Sequence, residues 1–126
     1  MKTPVMLAAI VLAVLALTTA ASALELYTPP MFAGADHRIE CAIANVTAMS
    51  RTVRIRIING DDGSTLEDSG SFALSAGSLD SQDTAPAPGF AYCHFTVTGV
   101  MSNVRASGGV FPTGAVETDN ARIPAH

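Results

Sequence analysis

The chain has 126 residues, with seven basic against eleven acidic side chains and a net charge of −4. Its 48% apolar content is inflated by one amino-terminal run, and Lys2 is its only lysine. A mildly acidic chain with so few cations argues against nucleic acid and anionic lipid as partners, since both are held by clustered Lys and Arg.

Lys2 opens the chain, residues 5–17 form an unbroken apolar run, and Ala21-Ser22-Ala23 is a small-x-small sequence. This order is that of a signal peptide over residues 1–23, cleaved after Ala23. The run is short for a membrane span, which takes about 20 residues. The expected mature form is therefore a single domain over residues 24–126, periplasmic or extracellular, with no membrane span. It keeps six arginines against the eleven acids, a charge of −5.

From residue 24 onward the apolar residues alternate in short runs separated by turn residues, the pattern of strands. Residues 24–27 make a brief start that Pro29-Pro30 stops. Residues 38–46 alternate, with Ile39, Cys41 and Ile43 on one face and Glu40 and Ala42 on the other. Residues 52–58 repeat this, with Val53, Ile55 and Ile57 inward and Arg54 and Arg56 outward. Asn59-Gly60-Asp61-Asp62-Gly63 is a turn signal, so a hairpin leads into residues 65–68.

Weaker strands follow at 71–74 and 78–82 around the Ala76-Gly77 turn, and Pro86 and Pro88 mark a loop over 84–89. Residues 90–98 alternate cleanly, with Ala91, Cys93, Phe95 and Val97 on one face and Tyr92, His94, Thr96 and Thr98 on the other. Another strand is expected at 103–107, with Gly108-Gly109 breaking the run before Val110-Phe111. Residues 116–123 add an edge strand or belong to a loose tail over the last ten or so positions.

About seven short strands at roughly ten-residue spacing predict an all-β fold, a two-sheet antiparallel β-sandwich. Cys41 and Cys93 each sit mid-strand on the inward face, and export permits oxidation. One inter-sheet disulfide follows. Closing the loop of 53 residues from Cys41 to Cys93 stabilises the fold by about 4 kcal/mol on the chain-entropy model, a large share of a total of roughly 5–15 kcal/mol.

Several segments carry a resemblance: Leu26-Tyr27-x-Pro29-Pro30, the strand Ile39-Glu40-Cys41-Ala42-Ile43-Ala44-Asn45-Val46, the Leu74-x-x-Gly77 turn, Tyr92-Cys93-His94-Phe95-Thr96-Val97 and Asn103-Val104-Arg105-Ala106-Ser107. Over residues 26–107 the chain resembles small secreted proteins of Gram-negative bacteria and, more loosely, immunoglobulin-like and fibronectin-like sandwiches. These are packing and turn motifs, so the resemblance implies an architecture and transfers no functional residue. The chain departs from a true immunoglobulin domain in having no tryptophan and in placing Ala91, not tyrosine, two residues before Cys93.

No Gly-x-Ser-x-Gly, His-Glu-x-x-His or phosphate-loop motif occurs, and the expectation is a non-enzymatic binding or envelope-associated module with no cofactor. Its partner is a protein or a glycan, met through Arg54, Arg56, Tyr92 and His94, since guanidinium forks and polar aromatic side chains suit such contacts. The alternative is a metal-binding or redox protein. Phe90-Ala91-Tyr92-Cys93-His94 with Met101 and His37 resembles a cupredoxin ligand set, although Cys93 and His94 point to opposite faces of a strand. The Asp36-His37-Arg38 run with Glu40 reads as a solvated loop. Asn59–Gly63 with Glu67 and Asp68 reads as a turn, because the EF-hand register puts Gly70 where a bidentate Glu belongs. Asn45-Val46-Thr47 is a glycosylation sequon whose use depends on the host.

Overall fold

A computed structural model describes residues 23–84, 89–114 and 122–126 of the chain. All but the last residue of the signal peptide expected over 1–23, the Pro86 and Pro88 loop and most of the expected last strand lie outside the described residues.

Nine strands follow in chain order: β1 (Ala23–Tyr27), β2 (Met31–Ala33), β3 (His37–Asn45), β4 (Arg51–Asn59), β5 (Thr65–Leu74), β6 (Leu79–Asp83), β7 (Gly89–Thr98), β8 (Val104–Pro112) and β9 (Arg122–Pro124). All pair antiparallel. One sheet has the order β1-β7-β4-β5, and the other β6-β3-β8-β9. β2 pairs with the same strand, β7, as β1 does, beyond Pro29-Pro30, which cannot extend a ladder because proline has no N–H. Taking β1 and β2 as one interrupted edge, the sandwich has eight strand positions against the seven expected.

The alternating residues meet between the sheets. Ile39 and Ile43 from one side face Val53, Ile55, Ile57, Phe95 and Val97 from the other, all at most 2% exposed. Each such side chain contributes about 1.5–3 kcal/mol of burial. Cys41 and Cys93 are joined across this layer with a Cα–Cα distance of 5.7 Å, within the range a disulfide requires.

Two expected breaks, between residues 68 and 71 and at Gly108-Gly109, are absent. β5 is one strand because Ser69 and Gly70 form a bulge opposite Ile55. Ser69 Oγ accepts the Ile55 N–H at 2.9 Å in place of a ladder bond, and Gly70 takes a φ of +66° that other residues rarely adopt. β8 likewise runs straight through Gly108-Gly109. Gly108 lies against the disulfide: a Cβ there would stand 2.6 Å from Cys93 Sγ and 2.8 Å from Met31 Cε. The backbone of β8 thus covers the bridge where an immunoglobulin domain uses tryptophan.

One side of the sandwich is closed by the carboxy-terminal residues. Ala125 donates to the Ala106 carbonyl at 2.9 Å, and Tyr27 and His126 exchange backbone hydrogen bonds of 2.8 and 3.0 Å. Those bonds hold β1 in place and thereby position the face described next.

Candidate functional site

The outer face of the β1-β7-β4-β5 sheet gathers the polar and aromatic side chains. Because side chains point to one face at every second residue, register alone decides who meets whom. Asp68, Arg56, His94 and Tyr27 are successive partners across β5, β4, β7 and β1. The next row is Ser71, Arg54, Thr96 and Glu25. Toward the other end of β7 stand Tyr92, opposite Ile58, and Phe90, opposite Phe32.

His94 is the centre of this arrangement. Arg56 Nη2 stands 2.8 Å from His94 Nδ1, and Glu25 Oε1 lies 3.6 Å from Nε2. The same Nη2 stands 3.4 Å from Nε2, so the guanidinium lies across the imidazole ring and approaches both of its nitrogens. The Tyr27 ring stacks on the imidazole with centroids 4.3 Å apart and planes within 13°. The Tyr27 hydroxyl donates to Glu25 Oε2 at 2.9 Å. That bond holds the phenol proton above its usual range. Burial, followed by the Arg56 charge, pushes the His94 imidazole below its ordinary value, with Glu25 opposing.

Arg54 makes a two-pronged contact with Asp68, its Nε donating to Oδ1 at 2.9 Å and its Nη2 to Oδ2. The guanidinium hydrogen bond, reinforced by the Gly70 N–H, lowers the Asp68 carboxyl to about 2. Beyond Tyr92, Phe32 and Phe90 are 59% and 49% exposed and their rings meet at 5.1 Å.

All four expected surface residues, Arg54, Arg56, Tyr92 and His94, therefore share one face. Two corrections apply. His94 is covered and only 8% exposed, because Tyr27 and Arg56 lie over it. The two arginines are half-buried and engaged with neighbours. Glu25, Tyr27 and Asp68 are not among the surface residues expected from the sequence. Their own alternation marks an outward face, but only the pairing of β1 and β5 places them beside His94 and the arginines.

The cupredoxin-like set does not converge. Cys93 sulfur is bonded to Cys41 inside the core, His94 lies on the opposite side of β7, and His37 opens β3 in the other sheet. The Met101 side chain lies outside what is described. His37 is thus a strand residue and not part of a solvated loop, while its neighbour Arg38 lies 3.9 Å from Glu40 and 3.6 Å from Asp83. The acidic run is a turn: Asn59 Oδ1 accepts the Asp61 N–H, and Asp62 Oδ1 accepts from Ser64.

The sequon asparagine is a structural clamp. Asn45 is 1% exposed and its Nδ2 donates to the carbonyls of Met49 and Leu74 at 2.7 and 3.0 Å. Its Oδ1 accepts from Thr47. A glycan on that nitrogen cannot coexist with these bonds.

The fold and this face define a disulfide-linked antiparallel β-sandwich with an aromatic and guanidinium-lined outer sheet. Comparison with protein-family models, curated proteins and solved structures gives no match.

Proposed function

We propose that the chain is an exported, non-enzymatic binding module that meets a protein or glycan partner through the outer face of the β1-β7-β4-β5 sheet. The observation that carries this reading is the row Asp68-Arg56-His94-Tyr27 beside the exposed Phe32–Phe90 pair. Arginine and aromatic side chains dominate the energetics of recognition surfaces. Here they stand on a sheet tied at its edge by the Tyr27–His126 backbone bonds and across its core by a disulfide, so little ordering entropy opposes binding. Export is supported by the leader sequence and by the bridge, which persists in oxidising compartments. Among the described residues no helix is long and apolar enough to cross a membrane.

The test is photo-cross-linking in the native envelope with the cross-linker placed at Phe32, at Phe90, or at the exposed Leu79 of the other sheet. The expected result is one shared adduct from the first two positions, absent from Leu79 and weakened by Arg56→Gln. Adducts of equal yield from all three positions, or none from any, overturn the reading.

A further inference from the structure

The Arg56 guanidinium lies against an ionisable ring, the imidazole of His94. Arg56 Nη2 lies against the ring, 2.8 Å from Nδ1 and 3.4 Å from Nε2, a position that a neutral imidazole accommodates. A protonated imidazole has no lone pair, so the same contact becomes a meeting of two donors, both positively charged. Glu25 waits on the other side, with Oε1 at 3.6 Å from Nε2, a gap that small ring motion closes.

We propose that Arg56, His94 and Glu25 form a pH-operated latch on this face: neutral His94 holds the Arg56 guanidinium down, and protonation turns the imidazole to Glu25 and frees the guanidinium for a partner. Its biological meaning rests on the binding reading above, but the latch itself needs no partner to operate. The proton comes from solvent, and no bond other than hydrogen bonds is broken.

The surroundings of His94 fit this role. From β1, Glu25 and Tyr27 face it; from β4, Arg54 and Arg56; from its own strand, Tyr92; and from β5, Asp68 engages Arg54 in the adjoining row. Only Glu25 stabilises the imidazolium directly, and the nearest cation opposes it. Arg56 Nε is buried without a hydrogen-bond partner, so the guanidinium is secured chiefly through the imidazole contact. The Tyr27 ring covers the imidazole, and the Tyr27–Glu25 hydrogen bond makes the lid and the counter-charge a single unit.

The experiment is an NMR titration of the mature chain between pH 4 and 8, following the histidine ring protons, the Tyr27 ring and the order of the Arg56 side-chain Nε–H. His94 is expected to titrate below the ordinary histidine value, with Tyr27 shifting and Arg56 losing order at the same midpoint. Arg56→Gln raises the midpoint and Glu25→Gln lowers it. His94→Gln abolishes the transition at Tyr27. A His94 midpoint unmoved by both neighbours, or an Arg56 side chain equally ordered on both sides of it, overturns the latch. If the latch titrates as stated while the Phe32 cross-link is absent at every pH, the binding reading fails and the latch stands. If the cross-link forms but Arg56 stays ordered throughout, the reverse holds.

Discussion

Replacing Gly108 with alanine tests the packing of the bridge. The added Cβ would sit 2.6 Å from Cys93 Sγ, 2.8 Å from Met31 Cε and 3.2 Å from Thr28 Cγ2. Ordinary non-bonded contacts lie at about 3.5–4.0 Å, so roughly 1 Å must open. Met31 Cε is the free end of a flexible chain and can yield. The sulfur cannot, because the bridge fixes it between strands of opposite sheets. The strain therefore falls on the β8 backbone, and Gly108→Ala should cost about 2–3 kcal/mol, the upper part of the overpacking range.

Urea unfolding of the oxidised protein measures this, with Gly34→Ala as a control, because its Cβ meets only His37 Nδ1 at 3.4 Å. Repeating the substitution in a Cys41→Ala/Cys93→Ala background removes the sulfur, and most of the cost should vanish as a coupling between the sites. A Gly108→Ala protein within about 0.5 kcal/mol of wild type, the range of ordinary surface changes, refutes the close approach. It would return Gly108-Gly109 to the strand break that the sequence suggests.

Asn45→Ala leaves the Met49 and Leu74 carbonyls without their amide donor and should destabilise by about 1–3 kcal/mol in a denaturant melt; a neutral result would show that the clamp is dispensable. The folded protein should accept no glycan at Asn45, which mass spectrometry after treatment with an oligosaccharyltransferase would check. Asp68 should keep its charge down to about pH 2, and Arg54→Ser should return its carboxyl to the ordinary range in an NMR titration. Because that carboxyl is depressed on folding, whatever stability the Arg54–Asp68 pair contributes is complete above the unfolded value and is lost as pH falls through about 2. Both side chains are substantially exposed, so salt should weaken the pair and the stability change should be small.

The strands of the core were legible because a two-residue period is a local property. Ile39, Cys41 and Ile43 in β3, Val53, Ile55 and Ile57 in β4, and Cys93, Phe95 and Val97 in β7 announce an inward face without knowledge of any neighbour. The same logic placed both cysteines inside and facing each other, and it put Arg54, Arg56, Tyr92 and His94 outside. Glycine was ambiguous, because the residue that ends a strand also permits a bulge or a close approach. At Gly70 the decision came from the Ser69 hydroxyl that replaces a ladder bond, and at Gly108 from a disulfide that leaves no room for a Cβ. Outwardness likewise does not say who stands next to whom. The stack of Tyr27 on His94 joins residues 67 positions apart, and the bond from Arg56 to His94 joins residues 38 apart. Those meetings depend on which strands pair and in what register. Alternation determined the two faces of each strand, and only the tertiary structure could decide that one of those faces buries a histidine between an arginine and a tyrosine.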